Sequence, residues 1–266
     1  MVARAARVKH GSVTARKGRM SSAEQDVTED ALLGGRIRVR QPARGYRVNV
    51  DTLLLAQAVE APPGARLLEA GCGVGAGLVA VAARAKDVTL LGVERDANMA
   101  TIARENVALN AMSDRIEIAT GDVLERSANI GVFDGVFVNP PYDREGEGRA
   151  PIEARRHAYL ADAPLDAWIA ALADRLTGGA ALTMIHRAHK APEILAALDG
   201  RLGGVELIPI QPTMDAPAKR VLVRARKGSR APFRLLPGRI LHDAAGGKYT
   251  PETEAILRGE ALIGWG

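Results

Sequence analysis

The sequence predicts an α/β domain built on a mostly parallel sheet with helices on both faces. Three observations lead there. Short β-branched or leucine-rich runs alternate with alanine-rich helical stretches through the middle of the chain, and a glycine-rich turn joins one such run to the helix after it. The 266 residues, 47% hydrophobic and 25% charged, suffice for one large domain. Alternating strands and helices imply crossover connections, which lay helices over both faces of the sheet.

Ile37–Arg40 and Gly45–Val50 suggest a small β element ahead of a helix at Thr52–Val59. Arg66–Ala70 is an apolar run ending in the glycine turn, and the alanine-rich Leu78–Ala85 follows as helix. Val88–Val93 reads as a strand, Ala97–Asn110 as a helix, and Arg115–Ala119 and Phe133–Val138 as β-rich runs. Within Leu165–Leu176 the spacing of Trp168, Ile169, Leu172 and Leu176 places them on one helical face. Ala180–Ile185 and Val205–Ile210 are strand-like around a helix at Pro192–Leu198, and Arg220–Arg226 mixes Val, Leu and Val with Arg. The Pro- and Gly-rich Arg230–Gly238 is a loop. Residues 1–30 are expected to form a basic, disordered segment before a domain over 31–266. That domain divides into a β element and helix (31–60), a core (61–230) and a C-terminal extension (231–266).

Composition removes several function classes. No run of about 18 uncharged apolar residues occurs, so no membrane-spanning helix is expected. The one cysteine, Cys72, excludes an internal disulfide and a multi-cysteine zinc site, and favours a reducing, cytoplasmic setting. His186, His189 and His242 lack ligand spacing, so no metal is expected. Aromatic residues, at 3%, are too few for a broad base-stacking platform. The net charge of +5 is uneven: six basic side chains and no acids fall within residues 1–20. Three readings of that tail stay open, namely a transit peptide, an RNA-binding arm, or residues upstream of a start at Met20. A second basic cluster comprises Lys219, Arg220, Arg224, Arg226, Lys227, Arg230, Arg234 and Arg239, with no acid between Asp215 and Asp243. Such a segment suits a phosphate backbone, or else a solvated strand edge guarded by charge.

Two motifs carry chemistry. Glu69-Ala-Gly71-Cys72-Gly73-Val74-Gly75 sets three glycines between a strand and a helix, where backbone can approach a ligand closely. Nicotinamide, flavin and methyl-donor enzymes all use such a turn. Glu94, at the end of the second core strand, is placed to accept both hydroxyls of a ribose. Asp122, after the third, is placed to accept from an adenine amine. No phosphate-loop lysine follows the glycines, and Glu69 would repel a pyrophosphate. Cys72 reads as a small packing residue with no base near it in sequence. The second motif, Asn139-Pro140-Pro141-Tyr142, follows the fourth strand. Its prolines stiffen the turn and aim the Asn139 side-chain oxygen and the Pro140 carbonyl in fixed directions. Two convergent acceptors suit a planar –NH₂ group whose nitrogen attacks an electrophilic methyl, and Tyr142 offers a face for a flat substrate.

This ordered set resembles class I S-adenosylmethionine-dependent methyltransferases that modify exocyclic or amide nitrogens. Gly45-Tyr46-Arg47-Val48-Asn49-Val50-Asp51-Thr52 and the stretch Leu236–Leu257, with Gly246-Gly247-Lys248-Tyr249-Thr250, are similar to the bacterial tRNA1(Val) adenine methyltransferase family. The resemblance covers roughly residues 31–258. It implies a Rossmann-like fold with a seven-stranded, mostly parallel sheet, S-adenosylmethionine as cofactor, and tRNA as partner. The implied reaction methylates the exocyclic amine of an adenine beside the anticodon. Implied cofactor contacts are Tyr46, Arg47, Asp51, Thr52, Glu69, Gly71, Cys72, Gly73, Gly75, Glu94, Arg95, Asp122, Val123 and Asn139. Candidate RNA contacts are Arg155, Arg156, Arg220, Arg224, Arg226, Lys227 and Lys248, so replacing Arg224 and Arg226 is expected to weaken RNA binding. Three rivals stand beside this: a glutamine-amide methyltransferase of the release-factor type, a nucleotide-dependent dehydrogenase, and a non-catalytic RNA binder on the same scaffold. The first usually carries a helical domain ahead of its core, and only 44 residues precede Gly45. The second lacks a hydride-transfer constellation, and the third has no reason to keep the Asn-Pro-Pro-Tyr turn.

Overall fold

The structure, a computed structural model, describes residues 27–44, 47–125, 130–141, 163–243 and 248–266. In chain order these form β1 (Val27–Leu32), β2 (Ile37–Pro42), α1 (Val50–Ala58), β3 (Arg66–Ala70), α2 (Ala76–Arg84), β4 (Thr89–Glu94), α3 (Ala97–Leu109), β5 (Ile116–Thr120) and β6 (Phe133–Val138). After them come α4 (Leu165–Asp174), β7 (Leu176–Arg187), α5 (Ala191–Leu198), β8 (Gly203–Gln211), β9 (Arg220–Arg226), β10 (Arg234–Leu235), β11 (Arg239–Ile240) and α6 (Pro251–Leu257). The main sheet runs β10-β8-β9-β7-β6-β3-β4-β5, with β11 also on β8. Seven strands match the expected core, and the two-residue β10 and β11 extend its edge to nine. β9 is antiparallel to β7 and β8, while β7, β6, β3, β4 and β5 run parallel.

Both faces are covered because both periods are apolar. On one face Leu67, Phe137, Ile185 and Leu222 pack with α1, α2 and α3. On the other, Leu68, Val136, Val138 and Met184 pack with α4 and α5. The stripe expected on α4 is buried as predicted: Trp168, Ile169 and Leu172 lie inward, and Leu176 opens β7. No helix of the described residues is long and apolar enough to cross a membrane.

The N-terminal part departs from expectation. Ile37–Pro42 pairs with Val27–Leu32, so ordered structure begins inside the segment taken for a disordered tail. The described residues of Gly45–Val50 are not strand, and Val50 already opens α1. A two-stranded hairpin is marginal alone, and this one is held by α3. Asn106 accepts the Arg40 N–H at 2.6 Å and donates to the Arg40 carbonyl at 2.8 Å. Asn110, one turn on, does the same for Arg38 at 2.9 and 2.7 Å. Two side-chain amides thus stand in for a neighbouring strand along the edge of β2. Asn106 also donates to the Val74 carbonyl at 2.8 Å, fastening the hairpin to the glycine loop.

Candidate active site

Register brings the two motifs together. Ala70 at the end of β3 is level with Val93 and with Val138, so Gly71, Glu94 and Asn139 leave three adjacent strands at one edge. Glu94 is level with Thr120, and the Gly121 N–H donates to the Glu94 carbonyl at 2.9 Å, bringing Asp122 to the same edge. Chain progression from β3 runs through β4 and β5 on one side and through β6 and β7 on the other. The crevice at such a reversal is where open α/β sheets bind ligands. Asn139 and Gly71 flank it.

The glycine loop is a cradle. Gly71, Gly73 and Gly75 have φ of 68°, 55° and 76°, a backbone region costly for other residues. Gly75 also packs on α3, where an added Cβ would lie 3.2 Å from that of Ala103. The Glu94 carboxylate accepts the Gly73 N–H through Oε2 and the Asp96 N–H through Oε1, each at 2.8 Å. Those bonds fix its plane and use one lone pair on each oxygen; the others remain for a vicinal diol. Asp122 accepts the Leu124 N–H at 2.9 Å and pairs with Arg95 at 3.3 Å. Arg95 therefore orients the Asp122 carboxylate, and Val123 is buried.

Glu69 has a structural task beside the cofactor contact expected of it. It is buried beneath the loop, accepts the Leu78 N–H of α2, and has its pKa raised well above the ordinary value, first by burial and then by the nearby Glu94. It organises the start of α2. Sequence reasoning missed its counterpart, Gly77. A Cβ there would collide with the Glu69 carboxylate. A glycine inside the first turn of a helix costs up to about 1 kcal/mol relative to alanine, and that cost was the available signal. Gly77→Ala is therefore expected to destabilise, by about 1–3 kcal/mol for the overpacking, where an ordinary helix would gain. Thermal unfolding gives the sign, and calorimetry with S-adenosylmethionine should show weakened binding; a rise in melting temperature would refute the contact. Cys72 packs against Gly92 of β4, with burial pushing its thiol pKa up, which leaves it inert.

At the bend, Pro140 is buried, Pro141 is exposed and Asn139 is half-buried. The Asn139 Oδ1 is buried with no hydrogen-bond partner among the described residues. An orphaned carbonyl oxygen costs about 1–3 kcal/mol, so its presence at the switch point marks a place kept for a donor. Tyr142, Arg155 and Arg156 lie outside the described residues, as does Tyr46. Arg47 is turned to the hairpin, on Asp30 at 2.8 Å and Thr28 at 3.0 Å. Asp51 is buried and ion-paired with Arg220, and the Thr52 N–H is held by the Asn49 cap of α1.

The basic cluster on β9 is mostly spent inside the protein. Arg224, buried, donates to Glu206 at 2.7 Å, pairs with Glu60 and lies 4.8 Å over the Trp265 ring. Arg226 pairs with Glu60 at 2.6 Å, and Lys227 caps the end of α4 on the Ala173 and Leu176 carbonyls at 3.0 and 2.8 Å. The expected phosphate contact at Arg224 is thereby corrected, since that side chain is buried, while Arg226 and Lys227 are half-buried and engaged as described; residues 220, 224 and 226 share the α1 face, where acids from distant segments meet them. Lys248 is exposed. Among the described residues no group of three or more His, Cys, Asp or Glu is placed to hold a metal.

The methyltransferase small domain model matches residues 45–207. The chain belongs to that family. A tRNA1(Val) (adenine(37)-N6)-methyltransferase of Porphyromonas gingivalis is 30% identical over 231 residues, 82% of this chain and 89% of that protein. The enzyme so named from Aeromonas salmonicida is 31% identical, covering 77% and 85%. Among solved structures, a predicted O-methyltransferase from Agrobacterium tumefaciens superposes with a TM-score of 0.68 at 31% identity, over 80% of this chain and 98% of that one. The methyltransferase uses S-adenosylmethionine, and its site suits that group. The glycine cradle offers close backbone, Glu94 a ribose acceptor and Asp122 an adenine acceptor, and no phosphate-binding lysine intrudes.

Proposed function

We propose that the methyltransferase modifies the exocyclic N6 amine of an adenine beside the anticodon of a tRNA. The carrying observation is the unpartnered, buried Asn139 Oδ1 at the switch point, next to the glycine cradle. When bound, S-adenosylmethionine supplies an electrophilic methyl group on a sulfonium. Asn139 accepts one amine N–H, and the Pro140 carbonyl, fixed by the two prolines, is placed to accept the other. Those bonds draw the nitrogen lone pair out of conjugation and stabilise the positive charge that grows on nitrogen. No general base is needed during attack, since the alkylated nitrogen sheds its proton to water afterwards. A base in a tRNA loop is cheaper to extrude toward such a bend than a paired one. The tRNA relatives support the nucleic-acid substrate because they match over 77–82% of the chain. A release factor glutamine methyltransferase of Agrobacterium fabrum is 33% identical over only 39%.

The decisive assay offers the protein labelled S-adenosylmethionine with total tRNA, and separately with a release factor. Label recovered as N6-methyladenosine from the RNA supports the assignment; label on a glutamine amide, or none on RNA, overturns it.

A further inference from the structure

We propose that a cavity of about 490 Å³ beside the catalytic bend binds a backbone phosphate of the RNA next to the target adenosine. The inference rests on the RNA assignment above. Asn49, Asp51, Arg187, His189, Lys219 and Arg220 line this cavity. Asp51 is its one acid and is ion-paired with Arg220, so the lining as a whole is positive. Lys219 is exposed and makes no side-chain hydrogen bond or ion pair among the described residues, and the same holds for His189. The Lys219 backbone is nonetheless rigid, since its N–H donates to Ile210 and its carbonyl accepts from Ala188, each at 3.0 Å. Arginine and lysine held on a fixed backbone suit an anion better than lysines on a mobile loop.

Position in the sheet selects the ligand. The order β9-β7-β6-β3-β4-β5 puts Glu94, Asp122 and the glycine cradle on one side of β6 and the β7 and β9 residues of this cavity on the other. The Asn139 bend lies between them. Met184 is level with Val138 and Arg187 with Arg220, so Arg187 lies about one strand across and two residues beyond the bend, on the order of 8 Å, and Lys219 about two strands across and three residues beyond, on the order of 14 Å. Residues 185, 187, 220 and 222 share the face of β7 and β9 on which α1 lies, since Ile185 and Leu222 join its core and Arg220 reaches Asp51. A nucleotide whose base reaches Asn139 from the side away from the cofactor carries its flanking phosphates into that range. Phosphate contacts of this kind fix register and carry no base information.

The test uses the full chain and a synthetic valine anticodon-arm RNA. For the double variant Lys219→Ala/His189→Ala, KM for the RNA should rise roughly three- to tenfold with kcat unchanged, and the log–log salt slope should flatten by about 0.7 per lost contact. Calorimetric affinity for S-adenosylmethionine should stay the same. Replacing one linkage beside the target adenosine by an uncharged methylphosphonate should cost the wild type the same factor and the variant nothing. An active wild type with unchanged KM and salt slope in the variant overturns the phosphate site alone, as does a variant weakened toward the cofactor instead. A wild type that methylates a release-factor glutamine and no RNA overturns the RNA assignment, and this site with it.

Discussion

Asn139→Ala is expected to slow single-turnover methyl transfer by about 10²–10³-fold, the scale for losing one preorganised partner of developing charge. Affinity for S-adenosylmethionine should hardly change, because the glycine loop, Glu94 and Asp122 stay in place. Stability should move the other way. The Asn139 oxygen is buried without a partner among the described residues, so removing it relieves a cost and the melting temperature should hold or rise. A variant turning over within a few-fold of wild type would end the assignment of the bend as the amine site. A variant both slow and poorly folded would deny that the oxygen is kept for a substrate.

Arg224→Ala is expected to cost about 3 kcal/mol, since it removes the buried partner of the buried Glu206 and leaves that carboxylate only the half-exposed Arg234 at 2.8 Å. For a chain of this size that is a fall of roughly ten degrees in melting temperature. The cost has several sources. Arg224 joins Glu206 of β8 to Glu60 after α1, and its guanidinium covers Trp265, whose Nε1 donates to the Ala58 carbonyl at 2.8 Å. With the Ile263 N–H on the Gln57 carbonyl at 3.0 Å, this straps the C-terminal residues to the end of α1. The other end of α1 carries Asp51, toward the site. Replacing both partners, Arg224→Met with Glu206→Met, should recover most of the loss because no buried charge remains unpaired: Glu60 keeps Arg226, and the released Arg234 is half-exposed. Thermal unfolding of the three proteins decides it; a single variant as stable as wild type would show that the network contributes nothing.

Much of the site was legible because its features are local in the chain. Three glycines between a strand and a helix, an acid closing the next strand, another acid after the third and a diproline turn after the fourth each declare themselves by spacing. Once the strands are parallel, register alone gathers them at one edge. Glu69 was legible as an acid, but its contact with α2 was not. Strand alternation turns it toward α2, where the Leu78 N–H and the bare Cα of Gly77 receive it. The hairpin of β1 and β2 was half seen, because its anchors, Asn106 and Asn110, are ordinary polar residues until α3 lies against a strand edge.

By itself the sequence determined the order of strands and helices, the glycine loop and the diproline turn, since hydrophobic period and turn chemistry act over a few residues. Which arginines are paired within the protein was decided only by tertiary structure. The run from Lys219 to Arg239 has no acid of its own, yet Asp51, Glu60, Glu206 and Glu252 come to it from elsewhere in the chain. A charge is neutralised by neighbours in space, and a linear sequence does not show which distant carboxylates a sheet will bring beside it.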